Sequence, residues 1–439
     1  MKGPLVGEDH RPPRILFVAM QSSPHTARWI EMIADQGWDL HLFPINGVAP
    51  CDSLCGVTLH QPQIAAPRPE EQIDLPPPPF ARDRSPGLRI RPFPLRLQDI
   101  GGIEGLRTGQ VSLGPSGRTA PVKQGPAALA AVIAELKPDI IHSLEFQHAG
   151  YLVLQARALF GEPFPTWIAT NWGSDIFHFG HHAGHKVQIR QMLEQVDFYS
   201  CECHRDILLA RDFGYRGPVL TVLPNTGGFD LNHLEGLRSG IPASQRRRIM
   251  VKGYQHFAGR ALTTFDALEG IASALRGYEI VLYSISHEPL QRAQSLIARG
   301  ILDIRIVGAA THDAMLRYFG SSRLYVGTSI SDAISTSVLE AMAMGAFPIQ
   351  TNTSCCDEWF DDGVGGFITT PNDVALIQRR ILTALHDDEL VDNAQRINAV
   401  TVRERLDRRR LAPRCVGFYE PAIAQSQQAA RARPSAALS

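Results

Sequence analysis

Residues 325–345 read YVGTSISDAISTSVLEAMAMG, and their pattern decides the fold class. An apolar strand ends near Thr328, a polar loop follows, and Ser335, Thr336 and Ser337 lead into a helix before FPIQTN (347–352) begins another short apolar run. Strand, loop, helix and strand in so few residues is one step of a parallel sheet covered by helices. Upstream the step repeats. RIMVKGY (248–254), EIVLYSI (279–285), LDIRIVGA (302–309) and RLYVGTSI (323–330) read as buried strands, separated by helix-period segments over 261–277, 289–300 and 312–322.

The first half of the chain carries the same alternation. RILFVAM (14–20), DLHLFPI (39–45), PDIIHSL (138–144), PTWIATN (165–171), VDFYSC (196–201) and PVLTVLPN (218–225) have strand character, with helices over 27–38, 125–137, 150–160 and 186–195 between them. Residues 61–125 break this rhythm. They hold 12 of the 31 prolines, and read as a loop-rich insertion in which LRIRPFPLRL makes no compact element. The expectation is an α/β protein of two facing Rossmann-like, doubly wound parallel-sheet domains with a cleft between them. Residues 1–226 form the first, 227–425 the second, and 426–439 a disordered tail.

Composition narrows the function. The 439 residues carry 43 basic against 44 acidic side chains, so no global electrostatic case exists for a nucleic-acid partner. Seven cysteines are too sparse for a disulfide framework and suit a reducing cytoplasm. MKGPLVGEDHRPPR lacks the apolar stretch of a secretory signal, and nothing approaches a membrane span. A cytoplasmic chain is expected. Arg82, Arg84, Arg89, Arg91 and Arg96 suit peripheral contact with anionic lipid at the inner face of a membrane, or with a lipid-linked acceptor.

In open parallel sheets ligands bind beyond the carboxyl ends of the strands. In the loop after 325–328, Asp332 precedes the helix and Glu340 lies eight residues on. Ser335 and Thr336 stand where free helix N–H groups suit a phosphate or diphosphate. Ser337 to Glu340 also has the spacing of a capping box, in which Glu340 reaches back to the Ser337 N–H. Lys252 ends a strand and Arg260 opens the next helix; two cations at a helix start suit an anion, or are merely solvated. Asp175 follows another strand and a Gly-Ser turn, faces the expected cleft, and is with Asp332 a catalytic candidate. His25 and Glu145 stand at further strand ends, on the side expected to meet an acceptor, although His25 also suits a helix cap. His178, His181, His182 and His185 lack HExxH spacing or a Cys partner, so no metal is assigned. Cys201-Glu202-Cys203-His204 looks like a metal or redox fragment, but closes a buried strand and reads as core. Dinucleotide, P-loop and GxSxG signatures are absent from the sequence.

Ser331-Asp332 followed by Ser337-Val338-Leu339-Glu340-Ala341-Met342-Ala343-Met344-Gly345-Ala346-Phe347-Pro348-Ile349 resembles the signature of the retaining, nucleotide-sugar-dependent glycosyltransferases of family 4, which have the GT-B fold. Leu223-Pro224-Asn225 with Asp230, Pro138 to His142, and Gly363 to Phe367 are similar to further segments of that family. The resemblance implies metal-independent transfer, of hexosyltransferase type and with retention, from a nucleotide sugar to a glycan, lipid-linked or small-molecule acceptor. The setting would be polysaccharide or glycoconjugate biosynthesis, with no cofactor besides the donor. It places Glu340 on the nucleotide ribose, Asp332 near the donor sugar, and Lys252 and Arg260 on the diphosphate, whose leaving phosphate helps deprotonate the acceptor. This sequence departs from the family in having Asp332 where Glu is common, Trp172-Gly173-Ser174-Asp175 for a His-Gly-x-Asp motif, and Ser22 to His25 for a Gly-Gly loop. Two other readings stand beside transfer: a nucleotide-sugar epimerase using Asp175, Glu145 and the histidines as acid and base, and a non-catalytic scaffold on the same fold.

Overall fold

Why the central strands are parallel follows from their composition: they are apolar runs buried on both faces, which demands helices on either side. The computed structural model describes residues 11–46, 48–64, 87–95, 110–113, 118–121, 125–160 and 163–432. By its contacts the chain divides into two units. The first comprises residues up to Cys201, Ile207–Gly227 and Ala412 onward; the second comprises Gly228–Leu411 with the five residues Glu202–Asp206.

The first unit carries a seven-stranded sheet in the order β4-β3-β2-β1-β7-β8-β9. These are β1 (Arg14–Ala19), β2 (Asp39–Pro44), β3 (Thr58–Ile64), β4 (Arg89–Leu95), β7 (Ile140–Leu144), β8 (Thr166–Thr170) and β9 (Phe198–Ser200), all pairing parallel. The separate hairpin β5 (Gln110–Leu113) and β6 (Arg118–Pro121) is antiparallel. Helices α1 (Pro24–Glu31), α2 (Pro126–Leu136), α3 (Tyr151–Phe160) and α4 (Ala183–Leu193) belong to the same unit, and α5 (His204–Asp212) straddles the division. Leu16, Val18, Ile141, Trp167 and Ala169 lie in the core cluster that these helices help to close.

Two expectations change here. LRIRPFPLRL is not a loop: its residues Arg89–Leu95 form β4, paired in register with β3 from Thr58↔Arg89 to Ile64↔Leu95. Pro92 and Pro94 lack an N–H, yet β4 is the edge of the sheet, where one row of backbone groups needs no partner. PVLTVLPN forms no strand and keeps only an isolated bridge, Tyr199 to Val219. The rest of 61–125 lies largely outside the described residues.

The second unit holds a six-stranded parallel sheet in the order β12-β11-β10-β13-β14-β15. Its strands are β10 (Arg248–Lys252), β11 (Glu279–Tyr283), β12 (Ile304–Ile306), β13 (Leu324–Gly327), β14 (Phe347–Thr351) and β15 (Phe367–Thr369). In sequence terms the order is third, second, first, fourth, fifth, sixth, the Rossmann arrangement, with its switch point between β10 and β13. Helices α6 (Leu231–Leu237), α7 (Ala261–Gly270), α8 (His287–Ala298), α9 (His312–Gly320), α10 (Thr336–Met344), α11 (Val374–His386) and α12 (Asp388–Arg405) pack around it over two apolar clusters. Helix α10 is buried throughout its length after Thr336, apolar but for Ser337 and Glu340, and stops at Gly345, whose φ of 79° is the left-handed cap only glycine adopts without strain.

The end of the chain also departs from expectation. Helix α13 (Arg408–Ala432) runs on to residue 432, and from Ala412 it belongs to the first unit. Phe418 and Tyr419 are buried there, and Tyr419 Oη meets Trp29 Nε1 at 2.8 Å and His142 Nδ1 at 2.7 Å. Residues 412–425, expected in the second domain, thus pack on the first unit, and residues 426–432, expected as a tail, continue the same helix.

Candidate functional site

The switch point of the second sheet places the carboxyl ends of β10 and β13 side by side, since the two strands pair from Ile249↔Leu324 to Val251↔Val326. Lys252 therefore emerges next to the loop that holds Asp332. The two following loops are bonded to each other. Arg260 N–H donates to Thr328 O at 2.8 Å, Thr328 Oγ1 donates to Arg260 O at 2.9 Å, and Ile330 N–H donates to Ala258 O at 2.8 Å. Thr264 and Thr328 hydroxyls share a further bond at 2.9 Å.

Charge is concentrated in this place. Burial works against the Lys252 ammonium, but the negative potential of Tyr325, Asp332, Tyr254 and Glu340 outweighs it and raises its pKa above the ordinary lysine value. The ammonium also lies 4.6 Å from the centroid of the Tyr254 ring. Burial pushes the Asp332 carboxyl up, opposed by Lys252, the Ala333 N–H and Arg205. Its Oδ1 accepts from Ala333 N–H at 3.0 Å. Lys252 is thus the common counter-charge of two carboxylates.

Helix α10 starts at this loop. Ser335 is its N-cap residue, but no side chain caps the first-turn N–H groups, which leaves the helix start suited to an anion. The capping-box expectation fails, because the helix begins two residues earlier than that box requires and Glu340 turns elsewhere. Its Oε1 lies 2.7 Å from His312 Nε2, at the start of α9. Glu340 is 8% exposed and Thr336 half-buried. Arg260 is the N-cap residue of α7, and its Nη1 donates to His256 O at 2.6 Å and Gly259 O at 2.8 Å. Lys252, Asp332, Ser335, Thr336 and Glu340 therefore gather at one end of one sheet, with Arg260 on the loop bonded to it.

The remaining predicted residues belong to the first unit. Its own switch point lies between β1 and β7; His25 stands in the first turn of α1, the helix after β1, and Glu145 directly follows β7. Asp175 Oδ2 accepts from Trp172 N–H at 2.7 Å and Phe146 N–H at 2.9 Å. Glu145 Oε1 accepts from His148 N–H at 2.5 Å and Ala149 N–H at 2.7 Å. Both carboxylates are buried and hold loop backbone in place. At Glu145 that backbone is strained, with φ 77° in a region non-glycine residues avoid. His25 packs edge-on against Trp172 at 5.6 Å, and the cap of α1 is Ser23, not His25. His178 and His182 face each other at 3.4 Å; the histidines of 178–185 form no metal-ligand group among the described residues. Arg89 is exposed and Arg91 pairs with Glu135 at 2.5 Å, while Arg82, Arg84 and Arg96 lie outside the described residues. No helix among the described residues is long and apolar enough to cross a membrane.

Two site residues escaped sequence reasoning. His312 lies 28 positions before Glu340, and Arg205, whose Nη2 donates to Asp332 O at 2.9 Å, lies 127 positions before its partner. Spacing carries no signal at such separations.

Comparison with known proteins places this geometry. Residues 291–399 match the model of the family described as glycosyl transferases group 1, and residues 116–200 that of glycosyl transferase 4-like proteins. No curated protein matches the sequence. Among solved structures, a sucrose-phosphate synthase from Thermosynechococcus elongatus is 15% identical, covering 96% of this chain and 98% of its own at a TM-score of 0.61. Anabaena HepE in complex with UDP and glucose is 14% identical, covering 96% and 100% at 0.60. A glycosyltransferase from Rickettsia africae is 14% identical, covering 94% and 99% at 0.59. The fold shared with these proteins is GT-B.

Proposed function

We propose that this chain, a group 1 glycosyltransferase on a GT-B fold, moves a hexosyl unit from a nucleotide sugar to a glycan, lipid-linked or small-molecule acceptor with retention at the anomeric carbon. The gathering of Lys252, Asp332, Ser335, Thr336 and Glu340 at the carboxyl ends of β10 and β13, where the start of α10 has no side-chain cap, is the observation that carries the reading. Glu340 accepts from the nucleotide ribose hydroxyls. Lys252, Arg260 and the open N-terminus of α10, at Ser335 and Thr336, receive the diphosphate. Asp332 faces the donor sugar.

The chemistry follows from that placement. Breaking the bond to the anomeric carbon leaves a new negative charge on the β-phosphate, and fixed positive charge at that atom stabilises the transition state more than the ground state. The same phosphate, on the face it leaves, accepts the proton of the attacking hydroxyl, which retains the configuration without a protein nucleophile. The acceptor belongs to the loops of the first unit, near His25. Epimerisation needs mobile acid and base carboxyls, and those of Asp175 and Glu145 are engaged by backbone N–H groups.

HepE is bound to UDP-glucose in one structure, which makes UDP-glucose the first donor to supply. Purified chain given a panel of UDP-, GDP- and ADP-sugars with candidate acceptors should release nucleotide and yield an α-linked product from an α-linked donor. Lys252→Ala should lower turnover by about 100-fold. A β-linked product would end the retaining assignment, and no binding of any nucleotide sugar would end the whole reading.

A further inference from the structure

Beneath the loop that carries Asp332, two thiols and a carboxylate converge in the second unit. Cys203, in the short segment Glu202–Asp206, approaches Cys355 and Glu358 so closely that one ligand atom from each lies within 4.8 Å of the others. Both cysteines are buried, at 0% and 3% exposure, and pack with Ala333, the residue after Asp332. Cys355 holds a left-handed backbone at φ 46°, an arrangement costly for a residue with a side chain. Glu358 is fixed from outside the group: its Oε1 accepts from His204 N–H and its Oε2 meets His204 Nδ1, each at 2.8 Å. Arg205 lies within electrostatic reach of both thiols, besides its pairing with Asp206 at 2.8 Å.

Two buried thiols beside a carboxylate that is only one-fifth exposed are more than an apolar core needs. We propose that Cys203, Cys355 and Glu358 bind a zinc ion, with His204 as the outer partner that orients the carboxylate. Thiolate donors exclude magnesium and calcium, a carboxylate disfavours copper(I), and three mixed S and O donors are too few for an iron–sulfur cluster. Binding displaces one proton from each thiol, forms two Zn–S bonds and one Zn–O bond, and leaves one coordination position to water. No electron is transferred. The three anionic donors and the dication sum to one negative charge beside Arg205.

The ion would work as a staple. Arg205 Nη2 donates to Asp332 O and its Nη1 to Thr353 O, each at 2.9 Å, so fixing Cys203 to Cys355 also fixes the backbone that presents Asp332. The site is separate from the diphosphate position and supplies no step of the transfer.

The test uses the full chain, purified under reducing conditions from zinc-supplemented cells. Elemental analysis should find about one zinc per chain. Cobalt(II) loaded in its place should show thiolate-to-metal charge-transfer absorption, and zinc should protect two thiols from alkylation, identified by peptide mapping as Cys203 and Cys355. Cys203→Ser and Cys355→Ser should each abolish the charge-transfer band or halve it, and Glu358→Gln should weaken zinc binding at least about tenfold. The wild-type measurements stand even if a variant fails to fold. Wild-type chain that takes up neither zinc nor cobalt, equal alkylation with and without zinc, or a Cys203–Cys355 disulfide in the reduced preparation overturns the proposal. Zinc uptake by a chain that binds no nucleotide sugar would leave this site standing and sink the donor reading alone.

Discussion

Glu340 and His142 show how one side chain's surroundings set its role. Glu340 caps no helix and lies 2.7 Å from His312, and the proposed function gives its carboxylate to a ribose hydroxyl. Glu340→Gln keeps the shape and removes the charge. Isothermal titration with UDP should show affinity lower by about tenfold or more, the scale of a hydrogen bond to a charged group, with an unchanged melting temperature; equal affinity would remove Glu340 from the donor site. His142 is different in kind. It is fully buried between Tyr419 Oη and Thr170 Oγ1, each at 2.7 Å, and burial lowers its pKa from 6.5 to about 3. The folded chain keeps it neutral while the unfolded chain protonates it near 6.5. Its contribution is complete above that pH and is lost as pH falls toward about 3, on the order of 1 kcal/mol per pH unit. His60, lowered to about 4 by burial first and then by His41 and Arg91, acts in the same direction. Urea melts from pH 7 to pH 4 should show this acid slope, and His142→Gln should reduce it by one proton; an unchanged slope would assign it elsewhere.

At the scale of elements, α13 and the loop of Asp332 are both held by residues distant in sequence. Helix α13 completes the first unit through Tyr419, which joins Trp29 on α1 and His142 on β7. Tyr419→Phe retains the ring but strips both partners of their bond. Chemical denaturation should register a loss of about 1–3 kcal/mol, the cost of leaving buried polar groups unsatisfied. A loss below a few tenths would mean that the hydroxyl is dispensable and the helix is seated by Phe418 and its apolar neighbours. The β10 and β13 loops are bonded to each other by backbone groups of Ala258, Arg260, Thr328 and Ile330, so the cations and the acids are positioned by elements and not by flexible side chains alone.

On the scale of the whole molecule, the two units have separate sheets and separate cores, and a nucleotide held by second-unit residues stabilises that unit first. With UDP at about 100 times its dissociation constant, calorimetry should show the second unit more stable by roughly 2.7 kcal/mol, and Lys252→Ala should abolish the gain. Stabilisation that survives the substitution would place the nucleotide elsewhere. Much of this architecture was legible in the sequence. Apolar runs of strand length alternating with helical periods specified two parallel sheets, and the Asp332 to Ile349 signature specified the loop and helix that carry Asp332, Ser335, Thr336 and Glu340, because both are local patterns of burial and hydrogen-bond need. PVLTVLPN and LRIRPFPLRL misled for a reason of position: whether an apolar or proline-rich run becomes a strand depends on whether a neighbouring edge accepts it. Free and engaged carboxylates were equally invisible. Asp175 and Glu145 are engaged by backbone N–H groups, His312 meets Glu340 across 28 residues and Arg205 meets Asp332 across 127. Periodicity and caps act within a few residues, so the chain alone specifies its elements; which side chains end up adjacent is set by how those elements pack.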